Sequence, residues 1–434
     1  MTSAIFATEE LARLLPIANQ IELGFAQPDY AFDEFIQAPV EATSAVIRAL
    51  DKATPAGARA RARNSVEIGR FPKFIGLITA NAIVSAVEGR PCRYSRSTSN
   101  YRGVISGAPS WLTSRPLIRN IDAMERAGLL SGQRGKAGPG GGPQSTFWAT
   151  DKLACLLTAE GTNDLSAIIQ EPERPMLILK DEAKRSIAFT PTKASEAAAS
   201  AVRRYNVYVD KTDISALAPN GILRRRFHRP LYRIFNNSSW TQGGRFYGGW
   251  WQTLPKTARS DILIGGEPTI ELDFSGFTPR ALYHLAGIEY LGDPYEIPEV
   301  KRQSEIAKLD WATVRSAIKV LFLFLLNSSH RRGASGVQTV LGKSMRNTTA
   351  IRCIKEHHAL IAEYFHNGAG LEMMALEADV CERIICAGVE NDICILPIHD
   401  SFIVSTKHID WLHEVMSDSY RHVFGFLPII KQSI

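Results

Sequence analysis

Asp400 stands in the middle of ILPIHDSFIVS (Ile395–Ser405), with His399 before it and Ser401 after it, inside an otherwise apolar, β-branched run. Ionised groups are costly to bury, so the triplet demands a reason. The period-2 runs Ile395–Ile398 and Phe402–Val404 predict two strands meeting at a tight corner, which puts a carboxylate at the tip of a hairpin. A second carboxylate comes from PTIELDFSGFTPRALYHLAG (Pro268–Gly287), where Ile270, Leu272 and Phe274 alternate with Glu271 and Asp273 before a helical stretch begins. A strand ending at Asp273 and a hairpin ending at Asp400 could bring two oxygen ligands to one place. Paired carboxylates suit two Mg²⁺ ions, or Mn²⁺ in their stead, which clamp the attacking and leaving oxygens of a phosphoryl transfer. Cations for that chemistry come from WATVRSAIKVLFLFLLNSS, in which Arg315 and Lys319 lie four apart on a predicted helix and share a face. They could hold a nucleoside triphosphate, with Lys319 protonating the departing pyrophosphate. The bland alternative for each stretch is a solvated or structural one.

The elements that must position these groups sit in a chain of 434 residues, 45% hydrophobic and 22% charged, long enough for two or three domains. Its six cysteines show no CxxC pairing, which argues against a zinc ribbon or disulfide framework and for a reducing, intracellular (cytoplasmic) setting. No apolar stretch approaches the length of a membrane span. Net charge is +6, yet between Thr54 and Thr150 fourteen Lys and Arg face four Asp and Glu, a local balance of +10 that points to a polyanion. There, SRPLIRNIDAMERAGLL predicts a helix capped by Ser114, followed by a hairpin with a glycine-rich tip. A helix and then a basic hairpin is the order of a winged helix, with Arg115 and Arg119 on its recognition helix. Residues 1–55 read as a helical lead-in, 56–155 as the basic domain and 156–240 as a helical region. RRRFHRPLYRIFNN near its end mixes arginine with aromatic residues, as a grip on a nucleic-acid backbone would.

Other stretches carry less. GVQTVLGKS (Gly336–Ser344) departs from the phosphate-loop spacing, and His357, His358 and His366 read as surface groups without ligand spacing. His399, Asp400 and Ser401 cannot form a hydrolase triad, because neighbours on a strand point to opposite faces.

In order, Asp273 within D-[YF]-S, Arg315-x3-Lys319 and the His399-Asp400 hairpin resemble motifs A, B and C of the family A DNA polymerases and the single-subunit RNA polymerases of phages and mitochondria. GGRFYGGWW (Gly243–Trp251), upstream of motif A, resembles the GR-containing contact of the same RNA polymerases. The resemblance covers about residues 225 to 434. It implies an α+β chain with a right-hand palm, fingers and thumb in which Asp273 and Asp400 hold both Mg²⁺ ions. Arg315 and Lys319 would contact the triphosphate, Arg245, with Tyr247 beside it, would touch the template or hybrid, and His399 would face the primer or product end. The thumb would come from 156–240, with palm and reduced fingers in 241–434. The partners so implied are a nucleic-acid template, DNA first, and nucleoside triphosphates.

Departures from the family's pattern bear on the product. Thr278 stands where the family's DNA polymerases carry a glutamate that blocks a ribose hydroxyl, Asn327 replaces a tyrosine, and Ser401 follows Asp400 as in the phage RNA polymerases. All three lean toward ribonucleotide use, as in an RNA polymerase or primase. Two alternatives stay open: a strict small DNA polymerase without proofreading, and a non-catalytic DNA-binding replication factor with a decayed palm.

Overall fold

The computed structural model describes residues 30–433 apart from 35, 55–64, 89–90, 98–108, 110, 136–143, 163–167, 171–173, 218–222, 226–229 and 329–345. GVQTVLGKS, the glycine-rich hairpin tip and most of the lead-in lie outside the described residues. The chain is mixed α+β and divides into two compact units. One comprises Met1–Pro175, Lys184–Ala188 and Ile222–His228, and the other Met176–Ala183, Phe189–Gly221 and Arg229–Ile434.

In the first unit, β1 (Tyr30–Ala31), β2 (Ile36–Gln37), α1 (Val40–Ala53), α2 (Ser65–Glu88) and β3 (Cys92–Tyr94) precede α3 (Ser114–Arg126). There follow β4 (Leu130–Gln133), β5 (Ser145–Ala149), α4 (Asp151–Ala159) and β6 (Ile169–Gln170). The strands pair in the order β1-β3-β5-β4, and β2 pairs with β6. Leu117, Ile121 and Met124 of α3, at helical spacing, go into a core with Ile78, Val84, Phe147 and Leu153. The helix is as expected from the sequence except at its start. Thr113 is the N-cap residue and makes no side-chain cap bond, while Ser114 is the first helical residue and is buried. Arg115 and Arg119 are exposed. Part of the local basic surplus is neutralised within the unit, since Asp122 binds Arg96 and Arg134 at 2.8 Å each and Glu125 binds Arg134 at 2.7 Å.

The second unit begins with β7 (Leu177–Lys180), α5 (Lys193–Asp210), β8 (Ile214–Leu217), β9 (Tyr232–Asn236) and β10 (Ser239–Tyr247). The stretch expected to be helical is therefore strand-rich, with α5 its one long helix among the described residues. Leu177 and Leu179 alternate inward, as do Arg233 and Phe235, and that period of two overrides helix formation. Arg233 itself is buried, donating to Gly244 O at 2.6 Å and paired with Glu382, so it is a structural cation and not part of a grip on nucleic acid.

Next come α6 (Lys256–Arg259), β11 (Ile262–Ile264), β12 (Glu267–Phe274), α7 (Phe277–Leu285), α8 (Pro298–Ile306), α9 (Trp311–Asn327), α10 (Asn347–His357) and α11 (Ala369–Glu390). The chain closes with β13 (Leu396–Ile398), β14 (Ser401–Ser405), α12 (Ile409–Phe424) and β15 (Ile430–Ser433). The central sheet runs β8-β11-β12-β14-β13, with β15 also on β12, and every one of these pairings is antiparallel. Along β12, Leu272 and Phe274 are buried, and Phe274 meets Phe402, Phe277 and Tyr420 at ring separations of 6.1, 5.6 and 5.5 Å. The strand's period of two therefore turns Glu271 and Asp273 to the opposite face.

His358 and His284 are buried in this unit, His358 completely, which corrects the expectation that His358 lies on the surface. The Pro294 carbonyl, 2.8 Å from His358 Nε2, can only accept, so Nε2 carries the proton and Nδ1 accepts from the Tyr283 hydroxyl at 2.9 Å. Burial pushes both rings down to about 4, from 6.5 in an open chain. As pH falls, the unfolded chain takes up these protons first. The contribution of His358 is then fully present above pH 6.5 and lost on going down to 4, by up to about 3 kcal/mol. Urea unfolding between pH 7 and pH 4.5 should show this loss, and His358→Phe should flatten the profile while lowering stability at pH 7.

Candidate active site

Two local devices present Asp400. Strands β13 and β14 pair Ile398 with Ser401, leaving His399 and Asp400 as a two-residue turn in which His399 takes a left-handed φ of 58°. Three donors then fix the β13 side: Tyr205 Oη reaches Ile395 O at 2.7 Å, while Trp251 Nε1 and Gln252 Nε2 reach Pro397 O at 3.0 and 3.1 Å. Asp273 is delivered by register, because β12 opposes it to Ser401 and the next amide, Phe274 N–H, donates to Asp400 O at 3.1 Å. Beyond Asp273 the chain turns sharply into α7 through Gly276 at φ 63°, where a Cβ would come within 2.9 Å of Pro294.

The two aspartates share one electrostatic neighbourhood. Burial first, and then the charge of Asp400, pushes Asp273 up to about 7, while Lys319 and Lys256 pull it back. Burial also raises Asp400, opposed by Lys319 and Arg245. Lys319 is exposed on α9, whose start is secured by Asp310 accepting from Thr313 N–H at 2.9 Å. Arg315, one turn earlier, is bound to Asp293 at 2.6 and 2.9 Å.

Arg245 does not project freely. Its guanidinium binds Glu377 of α11 in bidentate fashion at 2.7 and 2.6 Å, with the arginine side chain 23% exposed and the glutamate 3%. Tyr247 and His399 meet edge to face with ring centroids 5.7 Å apart. Burial drives His399 down to about 4, so its ring is neutral near pH 7, and its Nδ1 is buried without a hydrogen-bond partner among the described residues.

The structure thus brings Asp273, Asp400, Lys319 and Arg245 together, with Tyr247 and His399 at the edge. Thr278 is half-buried in the first turn of α7, five residues after Asp273. Asn327 lies at the far end of α9, where its amide donates to Leu323 O of its own helix at 2.8 Å and rests against Gly370. Arg115 and Arg119 belong to the other unit.

Sequence reasoning missed Glu377, and it placed Glu271 on the acidic face of the strand without giving it a role. Glu377 falls on the buried stripe of α11 with Met373, Cys381 and Ile384, and an acid at an apolar position of a helix is a signal that could have found it. Glu271 accepts from Arg259 at 2.7 and 2.8 Å and from the Ser401 hydroxyl at 2.7 Å, and so ties α6 to the hairpin. Among the described residues no group of three or more His, Cys, Asp or Glu is arranged to hold a metal. Two oxygen-only carboxylates whose ionisation is opposed by burial, and for Asp273 also by the charge of Asp400, nevertheless fit hard divalent cations such as Mg²⁺.

Neither a family model nor a curated protein matches this sequence. Among solved structures, the POL domain of Pol1 from M. smegmatis, in complex with DNA primer-template and dNTP, aligns over 90% of this chain and 68% of its own at 13% identity and a TM-score of 0.35. At that score it lends neither fold nor chemistry to this chain. No helix among the described residues is long and apolar enough to cross a membrane.

Removing one partner of the Arg245–Glu377 pair strands the other charge in a buried place. Glu377→Gln should cost about 3 kcal/mol or more in unfolding free energy, and the joint replacement Arg245→Met with Glu377→Leu should recover much of it. Denaturant unfolding of both variants beside the natural chain measures the loss and its recovery.

Proposed function

We propose that this chain is a template-directed nucleotidyltransferase, copying a DNA template and accepting ribonucleotides, with the basic first unit binding nucleic acid. The observation that carries the reading is the delivery of Asp273 and Asp400 by adjacent antiparallel strands into one pocket of charge, under the field of an exposed lysine on a neighbouring helix. Structural ion clusters usually pair acids with bases one to one. Here burial and the charge of Asp400 oppose the ionisation of Asp273, and such perturbation marks sites of chemistry.

Asp273 and Asp400 would hold two Mg²⁺ ions, which when bound polarise a phosphate and lower the pKa of an attacking hydroxyl. The remaining work belongs to the chain's own side chains. Lys319 places a positive charge beside a triphosphate and delivers a proton to the leaving pyrophosphate oxygen. Arg315 offers a planar fork to a phosphate edge. Neutral His399 and the Tyr247 ring, packed edge to face, form an aromatic edge beside the carboxylates, suited to the terminal base or sugar of a growing strand. Thr278 is small enough to leave room for a ribose 2′-hydroxyl, which is the basis for ribonucleotide acceptance. Arg245, fixed by Glu377, shapes the wall of the site and keeps part of its fork for a nucleic-acid strand.

Extension on a single-stranded DNA template, with and without primer and with NTPs or dNTPs plus Mg²⁺, tests the reading. NTP-dependent product should appear with the natural chain and fall by about 10³-fold or more in Asp400→Asn and Asp273→Asn, while DNA binding persists. Lys319→Ala should lose about 10²-fold or more in turnover. Product from dNTPs alone would make it a strict DNA polymerase. Absence of product beside tight DNA binding would make it a binding factor.

A further inference from the structure

The phosphate-type fork of Arg315 is already filled. Its Nε and Nη2 donate to Asp293 Oδ2 and Oδ1 at 2.6 and 2.9 Å, and the guanidinium lies over the Tyr295 ring, 5.1 Å from its centroid. Asp293 is itself organised for that contact. Its Oδ1 also accepts the Tyr295 N–H at 3.0 Å, and buried Arg280 pins the loop just before it by donating to the carbonyls of Tyr290 and, at 2.7 Å, Gly292. Burial pushes Asp293 up, yet the hydrogen bonds from Arg315 and the Tyr295 amide outweigh it and hold the carboxyl below its ordinary value. Both partners remain about one-third exposed, at 35% and 32%, so a solute can reach the pair.

A carboxylate and a phosphate present the same two-oxygen edge to a guanidinium. We propose that Asp293 occupies, in the nucleotide-free protein, the place on Arg315 that a polyphosphate takes, so that triphosphate binding exchanges one anion for another. The proposal rests on the reading of Arg315 as a triphosphate ligand. After the exchange Asp293 is not stranded, because it keeps the Tyr295 amide and lies in the field of Lys431, the residue opposite Asp273 on β15. Asp293 is in this view an affinity-setting residue. Every ligand that reaches Arg315 is weakened by the strength of the internal ion pair, and ligands that do not reach it are unaffected.

Binding to the full chain with Mg²⁺ and no template, by titration calorimetry, separates the roles. Asp293→Asn keeps the oxygen that accepts the Tyr295 amide but removes the charge. It should bind ATP and inorganic tripolyphosphate about two- to fivefold more tightly, the range of a part-exposed ion pair. Adenosine binding should not change, and in an Arg315→Ala background the gain should vanish. Weaker or unchanged ATP binding in Asp293→Asn would overturn the exchange and make Asp293 a residue that positions Arg315. Undiminished ATP binding in Arg315→Ala would instead remove the triphosphate site from Arg315, and the exchange with it.

Discussion

Repulsion between Asp273 and Asp400 is the constraint around which the second unit is arranged. Two carboxylates in a partly dry place favour protonation or separation, and a chain free to relax would take one of those routes. The sheet removes the second. Backbone pairing between Asp273 and Ser401 and the Phe274-to-Asp400 hydrogen bond fix the strands, while Phe274, Phe277, Phe402 and Tyr420 lock the other face in aromatic contact. Such strain persists only when the surroundings over-determine it.

The surrounding charges are graded by how tightly they are held. Arg245 is locked to Glu377, and Arg259 to Glu271, which also takes the Ser401 hydroxyl. These pairs shape the walls and leave little charge to spend on a ligand. Arg315 is held by a part-exposed acid, and exposed Lys319 has no ion-pair partner among the described residues. The more buried pairs are therefore rigid, and the exchangeable or open cations, Arg315 and Lys319, both lie on α9. That gradient follows from desolvation, since a buried charge needs a permanent partner and an exposed one does not.

Much of the site was readable because its parts are local. Alternation in TIELDF and in the two flanks of HDSF announced strands, and the four-residue spacing of Arg315 and Lys319 announced a shared helical face; all of these elements formed where the periodicity put them. The stretch 156–240 was misread as helical, because short strands such as Leu177–Lys180 carry too few residues for their period to stand out. His358 was assigned to the surface because its burial depends on Tyr283 and Pro294, which are distant in sequence.

What the sequence determined by itself was the supply of chemistry and the local shape that carries it: acids on strand and turn, cations on a helix, and a basic region elsewhere in the chain. Tertiary structure alone decided which of those groups would be spent on one another. Asp273 meets Asp400, Arg245 meets Glu377 and Arg315 meets Asp293 across gaps of 127, 132 and 22 residues, and no periodicity reaches that far. Charge–charge energies depend on distance and on the water left between the partners, and both are set only when the sheet closes.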